Sequence, residues 1–451
     1  MNRSRFDALK ASVNDAGPPL SPLPHGVRQA SPGWRFALPI LVLLYVAFGI
    51  VHALRTPVGF TGYQDAPDEY AHVTVARVIA SGRLPTRESP GMPRQSQMTY
   101  EWHQPPLYYF LVSRLLPAGD KVMRLLSILI GVGCILAIYQ AARVLLPERP
   151  ETAILAAGIA ALTPGHIAIT SVVNNDALLE LCFSGYLLVL FLALARGLTL
   201  QRSLLLGAIL GAALLTKVTA VLLLPLTLLA LWLLSRNGES RTAVLRAALV
   251  IATVAAIISG WWYVRNGMLY HEWLPLTAFR QSFEGTAKAT DIIGGQSGLS
   301  VSGWPGYAQL VASWTFKSFF AVYSSNRGSA WGIPAFLPEQ LYWLAGLVVI
   351  CAAAGLVVLA TRHRTEFTGP QTYGIYLLSG IFALVALSFV TFTSKYFQAQ
   401  GRYFYPAMLP ISLACAMGWQ SIFPKRYSDV AGVLLLAFFG VFVAAFLLAT
   451  G

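Results

Sequence analysis

The amino-acid sequence predicts an all-α, polytopic membrane protein with about eleven transmembrane helices, and three observations support this fold class. Only 11% of the 451 residues are charged, whereas soluble domains carry about 25%. Hydrophobic residues make up 56% of the chain, and the mean hydropathy is +0.61. Apolar runs close to the spanning length of roughly 20 residues recur along the chain. This composition excludes a soluble enzyme, a disordered chain and a nucleic-acid-binding protein.

The positions of the apolar runs predict the individual spans. One apolar stretch, 203–235, is too long for a single helix, and Lys217 marks a hairpin inside it. Residues 1–33 are rich in Pro, Ser and Arg, so we expect a disordered cytoplasmic tail before a transmembrane domain over 34–451. In chain order the predicted spans are 34–54, 122–146, 152–171, 177–195, 203–216, 218–235, 247–264, 338–360, 372–393, 406–423 and 429–449.

Charge in the short loops predicts the orientation. The net charge of +13 would suggest nucleic acid in a soluble protein, but here it matches the positive-inside bias of membrane proteins. With the N-terminus inside, the inner connections are basic throughout, from Arg143 in the first to Arg426 in the last. Residues 304–323 are apolar enough to upset this pattern if they spanned the membrane. We therefore interpret them as an interfacial helix.

Two long outer loops, 55–121 and 265–337, are where we expect the chemistry. The inner loops are short and carry no motif, and a transporter could keep all its loops short. The sequence has no nucleotide-type glycine-rich phosphate loop and no DxD on the inner face, which disfavours a nucleotide-sugar enzyme. The cysteines lie inside apolar runs and predict packing residues, with no disulfide or zinc ribbon.

The first outer loop opens with the segment PDEYAH at 67–72. Pro67 suits a first helical turn, and the residues that follow predict a helix over 68–81. Asp68 and His72 are four residues apart and would share one face of that helix. On residue pattern alone, this segment is more typical of a capped surface helix. The segment EWHQPPLYY at 101–109 starts a second helix, and its His103 is a metal ligand, a sugar contact or a plain loop residue.

Further motifs follow in a fixed order along the chain. These are RLLSIL from Arg124, Pro164 followed by VNND ending at Asp176, LLTKVTA around Lys217, GWWYVRN over 260–266 and QGRY over 400–403. Together with PDEYAH and HQPPLYY, the set resembles the class C glycosyltransferases that use lipid-linked sugars. It is similar to the protein O-mannosyltransferase and aminoarabinose transferase group, and to a related uncharacterised bacterial membrane family with a PDExxH first outer loop. The resemblance covers about residues 34 to 423.

This resemblance implies an inverting transfer of a sugar from a polyprenyl-phosphate carrier to an acceptor. It implies that Asp68 is the catalytic base or orients the acceptor, and that Glu69 positions Asp68 or the sugar. A carboxylate near the acceptor hydroxyl can take the proton lost during attack. His72 and His103 would contact the acceptor, the sugar or a metal. The implied location is the bacterial cytoplasmic membrane, with the site facing the periplasm or exterior.

A phosphate leaving group needs positive charge at its binding site, and cations at a membrane boundary are costly and therefore suspect. Arg402 would offer a two-pronged contact to phosphate. Lys217 is a candidate, although snorkelling at a hairpin tip explains it equally well. Asp176 either shapes the site or caps a helix. The remaining candidates for contact with substrate or phosphate are Arg265, Lys395 and Tyr403.

Other functions remain open from the sequence. The main alternative is a lipid or glycan transporter or flippase without glycosyl transfer, and a third is a non-catalytic scaffold. The expected partners are a polyprenyl-phosphate-linked sugar, a glycan, lipid or protein acceptor, and the lipid bilayer, with no nucleic acid. No cofactor is certain; acidic residues and histidines leave a divalent metal open. The sugar and the acceptor are not predicted.

Overall fold

The protein is built almost entirely from α-helices, which confirms the predicted fold class. The computed structural model describes residues 28–57, 66–86, 100–283, 286–296, 298–325, 334–362 and 367–450. Within these ranges the α-helices are α1 (Ala37–Arg55), α2 (Glu69–Ala80), α3 (Leu107–Ser113), α4 (Asp120–Leu145), α5 (Pro150–Ala161), α6 (Pro164–Thr170), α7 (Asp176–Arg196), α8 (Leu200–Leu214), α9 (Leu223–Arg236), α10 (Arg241–Tyr270), α11 (Leu276–Ser282), α12 (Ala289–Ile293), α13 (Gly303–Phe320), α14 (Glu339–Arg362), α15 (Gly369–Thr393), α16 (Met408–Ile422) and α17 (Ser428–Ala449).

Short elements connect these helices. The strands β1 (Tyr323–Ser324) and β2 (Pro334–Ala335) pair antiparallel. The 3-10 helices of the described residues are Pro32–Trp34, Tyr100–His103, Leu116–Ala118, Val218–Leu222, Gly401–Ala407 and Lys425–Tyr427. Most of the predicted N-terminal tail, residues 1–27, lies outside the described residues.

Eight helical segments of the described chain are long and apolar enough to cross a membrane, and a bent pair raises this number to nine. The predicted number of eleven is therefore not confirmed. The other two predicted spans correspond to α8 and α16, which have 15 residues each. At about 1.5 Å per residue such a helix covers roughly 22 Å, less than a hydrocarbon core of about 30 Å. The apolar stretches are real, but 3-10 turns and helix breaks take up part of them.

The bent pair is α5 with α6, which the sequence predicted as one straight span, 152–171. The two helices meet at an angle of 65°. Pro164 is the first residue of α6 and has no N–H to continue the hydrogen-bond ladder of α5. The Thr163 hydroxyl donates instead to the Ile159 carbonyl oxygen at 2.6 Å. The proline therefore accounts for the break.

Small residues allow the central helices to approach closely. A Cβ atom at Gly355 of α14 would lie 1.8 Å from the carbonyl oxygen of Gly418 in α16. Glycines at such crossings are typical of helix packing in membranes. Every residue of α5 is buried, so this helix lies in the middle of the bundle. Cys134 and Cys182 are buried free thiols, and Cys351 and Cys415 are half-buried ones.

The first outer loop packs against the start of α4 and the turn before α7. The predicted helix over 68–81 is observed as α2. Its apolar side is buried with residues of α3, α4 and the 173–177 turn; this cluster comprises Val73, Val75, Ala76, Val78, Ile79, Tyr108, Tyr109, Val112, Met123, Ile130, Val173 and Ala177. This packing fixes the N-terminal end of α2, where Asp68 lies, over the beginning of α7.

The second outer loop starts later than predicted, because α10 continues to Tyr270 instead of ending at 264. The segment predicted as an interfacial helix is observed as α13, and it is not among the candidate spans of the described chain. Lys317 of α13 donates to Glu339 of α14 at 2.5 Å. The position of α13 relative to the membrane stays a prediction.

Candidate active site

A cavity of about 890 Å³ lies where the first outer loop, the break at Lys217, the end of α15 and the 3-10 helix Gly401–Ala407 meet. Its lining is polar at one end and apolar along the rest. The charged residues of the lining are Asp68, Glu101, Asp176, Lys217, Arg280, Lys395 and Arg402. The cavity therefore brings together six of the predicted site residues from four separate parts of the chain: Asp68, Asp176, Lys217, Lys395, Arg402 and Tyr403.

Asp68 occupies the N-cap of α2 with a left-handed backbone, φ 66° and ψ 4°. Asp and Asn are the residues other than glycine that adopt this conformation most readily. The Asp68 carboxylate accepts a hydrogen bond from Arg402 Nη2 at 2.7 Å. Its side chain keeps 22% of its surface exposed. Asp68 is thus an accessible carboxylate in the cavity wall that is held by a guanidinium.

Charges of alternating sign extend from Asp68 across the polar end of the cavity. Arg402 Nη1 lies 3.8 Å from Asp176 Oδ2. Asp176 Oδ1 in turn accepts a short hydrogen bond from Lys217 Nζ. Burial disfavours the charged guanidinium of Arg402, but the two carboxylates beside it outweigh burial and raise its pKa. The four side chains therefore form a row in which two carboxylates alternate with two cations.

Glu69 points away from this cavity, although it is adjacent to Asp68. Its carboxylate accepts hydrogen bonds from Arg124 Nε at 2.8 Å and Nη2 at 2.5 Å, and from the Val173 backbone N–H at 2.9 Å. Arg124 also donates to the carbonyl oxygens of Ala53 and Thr56. The side chains of Glu69 and Arg124 are 3% and 0% exposed. Glu69 is positioned to hold the helix start in place, and it does not line the cavity.

A second group of titratable residues lies on the other side of Asp68. Ligand atoms of Asp68, His72 and Glu101 all lie within 4.8 Å of one another. His72 Nδ1 is 2.8 Å from the Tyr109 hydroxyl. Burial lowers the pKa of His72, whereas burial raises the pKa of Glu101 against the opposing effect of His72. Two carboxylates and one imidazole are a donor set that suits a divalent cation.

His103 is separate from this group. Its ring packs edge-on against Phe279 and Trp102, with centroid distances of 6.0 Å and 6.1 Å. Burial and the nearby charge of Lys217 lower its pKa to about 3, so the imidazole is neutral. His103 is absent from the cavity lining, and the structure places it behind the wall that Phe279 forms.

The remaining predicted cations lie in different places. Lys395 lines the cavity and is itself exposed. Arg265 does not line it: its guanidinium lies 4.7 Å from the Trp262 ring centroid, and Nη2 donates to the Pro85 carbonyl oxygen at 3.0 Å. The Tyr403 ring lines the cavity, with the Arg402 guanidinium 5.4 Å from its centroid.

Sequence reasoning missed several residues of the site. Gln400 accepts a hydrogen bond from Arg402 Nε at 2.7 Å and donates to Gln398 Oε1 at 2.8 Å. Both glutamines are mostly buried and line the cavity, as does Glu101. Gln400 belongs to the QGRY motif and Glu101 to the EWHQPP segment, but the sequence pattern assigns neither residue a role. Arg280 of α11 lies in no motif.

The apolar wall of the cavity runs between the 3-10 helix Val218–Leu222 and α15. Leu387 of α15 lines the cavity although 65% of its surface is exposed, so this wall reaches the surface of the bundle. This wall consists of Leu179, Val218, Val221, Leu222, Leu384, Val385, Leu387 and Phe389.

Comparisons with known proteins agree with this architecture. Residues 103–263 match the sequence model of the family described as dolichyl-phosphate-mannose-protein mannosyltransferase. No curated protein matches the chain. The oligosaccharyltransferase of Archaeoglobus fulgidus, solved with zinc and sulfate, matches with a TM-score of 0.55 and 15% identity over 91% of this chain. The same archaeal enzyme with an inhibitory peptide and a dolichol-phosphate gives a TM-score of 0.51 and 14% identity over 92%.

The chain spans about half of that archaeal enzyme, 53% and 56% of the two solved chains. ArnT from Cupriavidus metallidurans also matches, with a TM-score of 0.39 and 18% identity over 90% of this chain and 78% of that one. The chain has the fold of the class C glycosyltransferases. The resemblance inferred from its ordered motifs is confirmed at the level of this superfamily.

Proposed function

We propose that the protein transfers a sugar from a polyprenyl-phosphate carrier to an acceptor on the outer face of the cytoplasmic membrane. The observation that carries this proposal is the continuity of the cavity. One cavity contains an accessible carboxylate, several cations and an apolar wall that reaches the surface of the bundle. A lipid-borne sugar phosphate needs all three of these surfaces, whereas a water-soluble nucleotide sugar has no use for the apolar wall.

Asp68 is the proposed general base. It takes the proton of the acceptor hydroxyl while the hydroxyl oxygen forms a bond to the anomeric carbon of the sugar. The bond between that carbon and the phosphate oxygen breaks, and its electron pair leaves with the phosphate. Glu69 is buried on Arg124 and does not line the cavity, so it is not placed to attack the sugar. We propose a single displacement, in which the acceptor oxygen attacks the anomeric carbon directly and inverts it.

The carrier phosphate would bind among the cations of the cavity. Arg402 and Lys217 lie at its polar end, and the exposed Lys395 also lines it. The guanidinium of Arg402 can present two parallel N–H groups to a phosphate, and its raised pKa keeps it charged. Arg265 makes its contacts outside the lining, which leaves it no direct part in this binding.

Asp68, His72 and Glu101 fit a divalent metal by donor type and by their mutual distances of at most 4.8 Å. When bound there, such a cation would supply positive charge beside the acceptor oxygen. His103 takes no part in this donor set, because it packs behind Phe279.

The proposal is tested with purified protein in liposomes that contain radiolabelled polyprenyl-phosphate sugars and a membrane extract as the source of acceptor. We expect the wild type to release free polyprenyl phosphate and label a product, and Asp68→Asn to do neither. Asp120→Asn is the matched control, because it removes an acid at the start of α4, away from the cavity lining. Equal product formation by Asp68→Asn would reject the proposal. Movement of intact lipid across the bilayer without product would instead favour a flippase.

A further inference from the structure

The Arg402 guanidinium donates two hydrogen bonds to neighbouring side chains and lies near a third acceptor. Nε donates to Gln400, Nη2 donates to Asp68, and Nη1 faces Asp176. Its side chain is only 11% exposed. An arginine offers five N–H groups in a fixed planar fork, and the pair of edges suited to a phosphate is the same pair that suits a carboxylate.

This arrangement conflicts with the two roles that the proposed reaction requires. The carrier phosphate needs the fork of Arg402, yet Asp68 holds Nη2 at 2.7 Å. The acceptor proton needs Asp68, yet Asp68 Oδ2 is occupied by that same N–H. The two groups of the site therefore satisfy each other before substrate binds.

We propose that the carrier phosphate replaces Asp68 on Arg402, and that this exchange makes Asp68 available to the acceptor only once the donor is bound. The inference rests on the proposed function. It assigns an order to the reaction, donor first and acceptor second.

The surroundings of Arg402 suit such an exchange. Gln400 fixes Nε, and a hydrogen bond to Gln398 fixes Gln400 in turn. Asp176 remains beside Nη1 and is itself held by Lys217. All four of these contacts can persist while Asp68 leaves, so the guanidinium stays in the cavity. Asp68 is the most exposed of the four charged side chains in the row, and it moves with the least loss of packing.

The exchange predicts an unusual effect on binding. If Asp68 competes with phosphate for Arg402, removing the Asp68 charge strengthens carrier binding. We expect Asp68→Asn to bind undecaprenyl phosphate about tenfold more tightly than the wild type, since a charge-assisted hydrogen bond no longer has to be broken. Asparagine suits the left-handed backbone at this position, so the variant should fold.

A double-mutant cycle separates competition from a general effect of charge. Binding of undecaprenyl phosphate is titrated by tryptophan fluorescence for the wild type, Asp68→Asn, Arg402→Gln and the double variant. In the Arg402→Gln background we expect Asp68→Asn to change the affinity by less than about twofold, because the competing contact is already gone. Undecaprenol, which lacks the phosphate, serves as the ligand control, and Asp120→Asn serves as the protein control. Neither control should show the gain.

The outcomes distinguish this inference from the proposed function. If the wild type and all variants fail to bind undecaprenyl phosphate, the proposed function is rejected together with the exchange. If the wild type binds and Asp68→Asn binds equally or more weakly, the exchange alone is rejected, because Arg402 then serves both partners at once. An equal gain in affinity from Asp68→Asn in the wild-type and Arg402→Gln backgrounds also rejects the exchange. Thermal unfolding of each variant shows whether a lost signal reflects misfolding.

Discussion

Asp68 and Glu69 are neighbours in the sequence, and each is paired with an arginine, but their surroundings are opposite. Glu69 with Arg124 is sealed among backbone groups, with side chains 3% and 0% exposed. Asp68 with Arg402 lies in the wall of a cavity, with side chains 22% and 11% exposed. A buried pair with every hydrogen bond satisfied holds one conformation. A partly exposed pair can exchange its partner for a ligand. Within this dipeptide, the surroundings of Glu69 suit a supporting residue and those of Asp68 suit a residue that contacts substrate.

The largest expected effect is a loss of sugar transfer when Asp68, the exposed member of the dipeptide, is replaced. Asp68→Asn should lower the rate of sugar transfer by about 10²–10⁴-fold, since it removes the general base. Its thermal stability should stay close to that of the wild type, because asparagine accepts the same backbone conformation. Product release from labelled donor and thermal unfolding in detergent are measured side by side. A large fall in stability would place Asp68 with Glu69 among the supporting residues.

The next effect is on stability when the buried pair is broken. Arg124→Leu leaves the Glu69 carboxylate buried without its partner, which typically costs about 3–5 kcal/mol. We expect a marked drop in the unfolding temperature in detergent. The double variant Glu69→Leu/Arg124→Leu should recover part of this loss, because no charge is left unpaired. Normal stability of Arg124→Leu together with lost transfer would mean that the buried pair acts in the chemistry.

A smaller effect is expected when the exposed pair keeps its charge but loses its geometry. Arg402→Lys retains one positive charge, yet a lysine cannot contact Gln400, Asp68 and a phosphate through one rigid plane. We expect transfer to fall by about 10–100-fold, roughly the value of one charged hydrogen bond. The matched change is Lys217→Arg, which preserves the positive charge beside Asp176 and should lower the rate of sugar transfer by less. Equal losses in both variants would argue that only net charge matters.

The sequence placed Asp68 and Glu69 in one motif but did not show that their side chains point to different surroundings. Their arginine partners were not predictable either. Arg124 lies 55 residues from Glu69, and Arg402 lies 334 residues from Asp68. Only the packing of α2 against α4, α7 and the 3-10 helix Gly401–Ala407 joins them.

The same limit explains the errors in the fold. Apolar runs predicted a helix in every expected span and the break at Lys217. Hydropathy does not record where a helix ends, so it could not show that α8 and α16 are only 15 residues long. Pro164 was quoted as a motif residue, and its missing N–H was the available sign of the 65° bend.

The smallest effects are expected for the two outer cations that the sequence could not tell apart, Arg265 and Lys395. Arg265 is tied to Trp262 and the Pro85 carbonyl oxygen outside the cavity lining, so Arg265→Gln should change affinity for undecaprenyl phosphate by less than about twofold. Lys395 lines the cavity but is exposed, so Lys395→Gln should weaken binding by about three- to fivefold at low salt, and by less as salt screens the charge. Titrations at two salt concentrations compare the two variants. A larger loss for Arg265→Gln would move the phosphate site from the polar end of the cavity to the outer end of α10.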